Sequence, residues 1–162
     1  MVSTDPTRPG GFLLNNQLTD FSFVPADPQG RTIANRVEPG KRPRSSMSPT
    51  LVFDKATGEL AMSGGSPGGA LIIHYTAKLL TGTLHGGLNA QQAVSLPNFG
   101  SLNGPTLLES KGFPASTIDA LKARGHEVRE MEMTSGLQAI ERTPTGWFGG
   151  ADPRREGVVL GD

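Results

Sequence analysis

Three groups of residues in this chain have the types and spacing to handle a small charged substrate. The first is Ser66-Pro67-Gly68-Gly69, followed by a largely apolar run over residues 70–80. Proline is tolerated in the first turn of a helix, so the sequence predicts a helix N-terminus there. Glycines lack a Cβ, which lets a ligand atom approach the backbone, and the helix dipole adds partial positive charge at that end. Paired N–H groups in such a place suit a carbonyl oxygen that gains negative charge; a plain strand-to-helix connection is the other reading of the same residues. The second group is Ser45-Ser46, in a loop bounded by Pro39, Pro43 and Pro49 and carrying Lys41, Arg42 and Arg44. Two neighbouring hydroxyls can both donate to one carboxylate where the backbone is kinked, or they can belong to a solvated turn. The third is the segment from Phe12 to Ser22, where an apolar run ends in Asn15, Asn16, Gln17 and Asp20. Gln17 and Asp20 can accept hydrogen bonds from an ammonium group; an Asn-rich turn with Asp20 as a cap is the alternative.

The elements that must position these groups read as an α/β (α+β) body. Residues 50–53 and 59–63 form a predicted strand pair around Asp54-Lys55-Ala56-Thr57-Gly58, a natural turn. A helix over 70–80 follows. Asn89 is placed to cap a helix over 90–96, with Gln92 completing a capping box, and Ser116 to cap another that stops at Gly125. Residues 127–133 alternate charged and apolar side chains as a half-buried strand does, which also accounts for Met131 and Met133. Residues 137–143 pair with 146–148 across Pro144-Thr145 as a closing antiparallel unit, with Trp147 expected as a packing residue. There is no internal repeat.

Composition excludes several classes. The chain has 162 residues, with 15 basic against 15 acidic side chains, so no excess positive charge points to nucleic acid. The cluster of Lys41, Arg42 and Arg44 reads as a solvated loop face or as attraction for an acidic substrate. Without cysteine there are no disulfides and no thiolate catalysis. No apolar run reaches membrane-spanning length, and no export signal is legible. His74, His85 and His126 fall into no metal-ligand or triad spacing, so structural roles, no metal and no cofactor are expected.

In order along the chain, the segment over residues 13–22, the loop over 39–50, the glycine turn over 65–69 and the terminal Gly149-Gly150-Ala151-Asp152-Pro153-Arg154-Arg155 resemble the small subunit of γ-glutamyltransferases (glutathione hydrolases). These belong to the N-terminal-nucleophile hydrolase superfamily, whose fold is a four-layer αββα sandwich shared by large and small subunits. The resemblance covers residues 10–162, leaving 1–9 as a junction segment. It implies that Gln17 and Asp20 hold the α-amino group of a γ-glutamyl substrate, that Ser45 and Ser46 bind its α-carboxylate, and that the Gly68 and Gly69 amides form the oxyanion hole. Implied partners are glutathione or another γ-glutamyl compound and the large subunit of the same precursor. Bacterial relatives are commonly periplasmic or secreted.

Departures from the family pattern carry their own expectations. Family members attack with a threonine, freed by precursor cleavage, on a strand well upstream of the 13–22 segment. Here Met1-Val2-Ser3-Thr4-Asp5 leads almost directly into Phe12, so the nucleophile strand and the large subunit are expected to be missing, leaving Ser3 or Thr4 as distant substitutes. The segment over residues 23–38 is short and has no tyrosine, which resembles a lidless relative open to other amides such as glutaryl-cephalosporins. An inactive fragment or a binding module is the remaining alternative. Sheet edges and apolar surface should be exposed, with self-association as the consequence.

Overall fold

The structure, a computed structural model, describes residues 15–161. It divides into two compact units, the first ending at Ser45 and the second running from Ser46 onward.

Within the first unit, a 3₁₀ turn over Gln17–Asp20 leads into an irregular loop held by two isolated bridges, Ser22 with Arg36 and Ala26 with Thr32. Phe21 is buried. The Asp27 carboxylate closes the narrow turn by accepting the amides of Gln29 and Arg31, both at 2.9 Å.

The second unit carries the regular structure. Strand β1 (Thr50–Phe53) is where the sequence puts it, and β2 (Leu60–Gly65) runs two residues beyond the expected end. Between them Asp54 Oδ1 accepts the amides of Ala56 and Thr57 at 2.9 and 2.8 Å, and Gly58 takes the left-handed φ of +72° that ends the turn. Strands β6 (Gln138–Thr143) and β7 (Gly146–Ala151) form the closing hairpin, completing an antiparallel sheet of order β1-β2-β6-β7. A smaller sheet holds the strands between them: β3 (Phe99–Gly100), β4 (Thr106–Glu109) and β5 (Val128–Met131), with β4 and β5 parallel. Helix α3 (Ala115–Ala123) is the crossover that a parallel pair requires.

Helices α1 (Ile72–Leu84) and α2 (Ala90–Ser95) pack on one face of the large sheet. On α1, Ile72, Tyr75, Thr76 and Leu79 recur at spacings of three and four and are all buried. Gly64 lets this helix sit close to β2, since a Cβ there would lie 2.6 Å from Leu79 Cδ2. The capping box of α2 forms as expected: Asn89 Oδ1 accepts the Gln92 amide at 2.8 Å, and Gln92 Oε1 accepts the Asn89 amide at 3.0 Å. Glu141 of β6 adds a carboxylate to the same end, accepting the Ala90 amide at 2.9 Å.

Several expectations need correction. The first helix does not start directly after the glycine pair. A 3₁₀ turn over Gly69–Leu71 comes first, opened by Gly69 at a left-handed φ of +58° that an α-helix does not accommodate. The helix also continues past Leu80: the hydroxyls of Thr81 and Thr83 bond back to the carbonyls of Ala77 and Leu79 at 2.8 and 3.0 Å, which removes their competition with the backbone. Helix α3 is capped at Pro114, whose backbone is extended, and not by Ser116, which lies inside the first turn. Strands β3 and β4 have no counterpart in the sequence reading, since they are short and broken by Asn103-Gly104. Trp147 does not pack inside. It is 48% exposed, with the Arg142 guanidinium 5.3 Å from its ring centroid. The expected exposed apolar surface is present: the sheet face away from α1 and α2 shows Leu51, Phe53 and Ile140, of which Leu51 and Ile140 lie in one row through Ser63.

Candidate functional site

Gln17 and Asp20 open and close the 3₁₀ turn of the first unit. Side chains three apart eclipse in a 3₁₀ helix, so the two acceptors share one face. The turn is held locally by the Gln17 amide donating to Asn15 Oδ1 and the Thr19 amide to the Asn16 carbonyl, both at 3.0 Å. A residue absent from the sequence reading then organises the unit. Asn35 Nδ2 donates to the Asp20 carbonyl at 2.6 Å, and Asn35 Oδ1 accepts the Arg44 amide at 2.9 Å. Asp20 and the residue before Ser45 are thus fastened to one side chain. Nearby, Glu38 pairs with Lys41 at 2.6 Å and Arg36 at 2.9 Å, which offsets Lys41 charge and holds the Glu38 carboxyl below its ordinary range.

Gln17, Asp20 and Ser45 belong to the first unit; Ser46, Gly68 and Gly69 belong to the second. In the second unit the segment after Ser46 is anchored through the Ser48 carbonyl, which accepts the hydroxyls of Thr76 at 3.4 Å and Thr50 at 3.2 Å. The glycine turn is built for its shape. Gly68 has a φ of +142° and Gly69 of +58°, and neither amide has a hydrogen-bond acceptor among the described residues. Successive N–H groups in such a conformation form a concavity suited to an anion. Gly68 caps the 3₁₀ turn and Gly69 opens it, so both lie one turn ahead of α1. Two neighbours fix the turn. Ser66 Oγ accepts the Gly136 amide at 3.0 Å, tying the loop to the approach of β6. The Tyr75 ring fills the space where a Gly68 Cβ would stand, 2.5 Å from Cε2. Burial pushes the Tyr75 phenol above its usual value, so it stays neutral.

The terminal signature of residues 149–155 has a different use. Asp152 is buried and accepts from Ser135 Oγ, from the Leu137 amide at 3.1 Å and from Arg154 Nη1 at 3.0 Å. Arg154 also grips Glu109 with two parallel bonds of 2.6 and 2.8 Å. Its guanidinium and the Lys78 ammonium share the Val94 and Leu96 carbonyls at the end of α2. Burial alone would raise the Asp152 pKa, but the bonds from Ser135, Arg154 and Leu137 hold the carboxyl below its ordinary value. Burial, then the Arg154 charge, pushes Lys78 down to about 8. This network joins the small sheet, α2 and the end of β7, and its role is structural.

An apolar cavity of about 630 Å³ lies along α1, lined by His74, Lys78, His85, Leu96 and Phe99, and it includes none of the sequence-predicted site residues. His74 Nε2 accepts the Ser101 amide at 3.2 Å, and His126 Nδ1 lies 3.0 Å from Thr106 Oγ1. Among the described residues no group of three His, Cys, Asp or Glu side chains could hold a metal ion, and no helix is long and apolar enough to cross a membrane.

Residues 4–162 match the family model of gamma-glutamyltranspeptidase. The glutathione hydrolase proenzyme of Escherichia coli (strain K12) is 39% identical over 150 residues, covering 89% of this chain and 26% of that protein. That of Bacillus subtilis (strain 168) is 33% identical over 154 residues, covering 93% of this chain and 25% of that protein. The chain therefore spans about a quarter of the length of these relatives. Among solved structures, gamma-glutamyltranspeptidase from Pseudomonas nitroreducens complexed with L-DON is 27% identical with a TM-score of 0.77, covering 96% of this chain and 84% of that one. The sequence motifs, the α+β fold and the match across residues 4–162 agree: the chain belongs to the gamma-glutamyltranspeptidase family.

Proposed function

We propose that this chain supplies the γ-glutamyl-binding residues and the oxyanion hole of a γ-glutamyltransferase, acting with the remainder of a precursor that provides the threonine nucleophile and the large subunit. The observation that carries this reading is the turn at Gly68 and Gly69, whose two adjacent amides stand in left-handed backbone with no acceptor among the described residues. In the reaction, the threonine Oγ bonds to the γ-carbonyl carbon and the carbonyl electron pair moves onto oxygen. The two amides stabilise that oxyanion, and its collapse expels the amine, which leaves with the hydroxyl proton. Water or an acceptor amine then releases the acyl group. Gln17 and Asp20 accept hydrogen bonds from the α-ammonium, and Ser45 and Ser46 donate to the α-carboxylate, so glutathione and γ-glutamyl amides are the substrate class.

Release of p-nitroaniline from γ-glutamyl-p-nitroanilide tests the reading. The complete precursor should turn over and the isolated chain should not, since the nucleophile is assigned elsewhere. In the complete enzyme Asp20→Ala should raise KM by roughly tenfold or more, the scale of a lost charge-assisted hydrogen bond. Replacing Ser45 and Ser46 together by alanine should weaken inhibition by glutamate. An unchanged KM in the first case, or full inhibition in the second, would remove the corresponding assignment. Turnover by the isolated chain would place a nucleophile within it, with Ser3 and Thr4, outside the described residues, the first to replace.

A further inference from the structure

We infer that Asn35 is a positioning residue for substrate recognition, a clasp that sets the distance between the ammonium-binding and carboxylate-binding segments. This inference rests on the assignment of Asp20 and Ser45 proposed above.

The geometry is specific in a way that a solvated loop asparagine is not. Asn35 is half-buried, and both polar atoms of its side chain are used across sequence separations of 15 and 9 residues. Nδ2 meets a carbonyl, which can only accept, and Oδ1 meets an amide N–H, which can only donate. The orientation of the side-chain amide is therefore fixed by its partners. Asn35 itself is held by its backbone, since its carbonyl accepts the Ser22 amide at 2.8 Å. Three hydrogen bonds thus bind residues 20, 22, 35 and 44 into one backbone frame.

Such a frame matters for this substrate class because its two charged groups sit on one carbon. From standard bond lengths, the nitrogen and the carboxylate carbon of an α-amino acid are about 2.5 Å apart. A protein that reads both must hold the acceptor and the donor segments at one separation. Among the described residues, the backbone pairing in this loop is limited to two isolated bridges, Ser22 with Arg36 and Ala26 with Thr32, and neither joins residue 20 to residue 44. One clasp residue that bonds the Asp20 carbonyl and the amide next to Ser45 meets the requirement. Its loss should leave each binding side chain in place chemically while letting the segments drift apart.

The test uses the complete precursor with γ-glutamyl-p-nitroanilide and four forms: wild type, Asn35→Ala, Asp20→Ala and the double variant. Asn35→Ala should raise KM about tenfold while kcat changes less than about threefold, because binding geometry is lost but the nucleophile and the oxyanion hole are untouched. In the Asp20→Ala background the same substitution should raise KM by less than about threefold, since the contact it positions is already gone. If Asp20→Ala raises KM but Asn35→Ala changes nothing, or if the two effects simply multiply, the clasp is overturned and the Asp20 assignment stands. If Asp20→Ala leaves KM unchanged, the assignment fails and takes the clasp with it. Should the alanine variant not accumulate, Asn35→Asp decides in its place: it keeps the acceptor for the Arg44 amide, loses the donor to Asp20, and is expected to show the same rise in KM.

Discussion

Substituting alanine at each glycine of the Gly68-Gly69 turn separates two physical causes that the sequence runs together. At Gly69 the φ of +58° is left-handed, but a Cβ would meet nothing within 4 Å. Gly69→Ala should therefore cost only the backbone strain, about 1–2 kcal/mol. At Gly68 the φ of +142° is costlier for an L-residue, and the new Cβ would stand 2.5 Å from Tyr75 Cε2 and 3.0 Å from Cδ2. Tyr75 is only 2% exposed and cannot swing away without opening the core. Overpacking of this kind costs about 1–3 kcal/mol, so Gly68→Ala should lose about 3–5 kcal/mol in all. Urea unfolding followed by circular dichroism reads the difference. With a denaturant slope of about 2 kcal/mol/M, the midpoint should fall by roughly 2 M for Gly68→Ala and by less than about 1 M for Gly69→Ala. Equal shifts would refute the role given to Tyr75, and in a Tyr75→Ala background, itself less stable than wild type, Gly68→Ala should cost less if the clash is real.

Three further outcomes follow from the packing. Lys78, with a folded-state pKa of about 8 against an ordinary 10.5, is protonated more in the unfolded chain between those values, so stability should rise with pH across that window. Lys78→Met should flatten the rise and stabilise the protein at neutral pH by about 1–3 kcal/mol, because Arg154 still satisfies the Val94 and Leu96 carbonyls; urea midpoints at neutral and alkaline pH check both. The Asp152 carboxyl is held below its ordinary value, so its contribution is present above the usual carboxylate range and lost as pH falls through its folded-state pKa; Asp152→Ala should cost about 3–5 kcal/mol at neutral pH and remove that acid-side loss, measured by thermal unfolding against pH. The isolated chain should self-associate through the uncovered face of its large sheet, and Phe53→Lys with Ile140→Lys should return it toward a monomer in sedimentation velocity, whereas an unchanged mass would place the contact elsewhere.

Much of this molecule was legible along the chain because its signals are local. The Asp54 turn, the capping box of Asn89 and Gln92 and the hairpin across Pro144-Thr145 each depend on residues within a few positions of one another, and each formed as the sequence implies. The turn at Gly68 and Gly69 was also legible as a strand-to-helix connection, since glycine takes positive φ at little steric cost wherever it occurs. The tertiary structure alone decided what depends on distant partners. It placed Tyr75 beneath Gly68, set Asn35 between Asp20 and Arg44, turned Trp147 outward under Arg142, and made Asp152 and Arg154 the bonds that tie α2 to both sheets. Strand β4 was hidden for the same reason: its pairing with β5 is set by the α3 crossover, about twenty residues further along the chain. Local dihedral preferences are written in neighbouring residues, whereas the burial and pairing of a side chain are settled only when segments far apart in sequence compete for the same space.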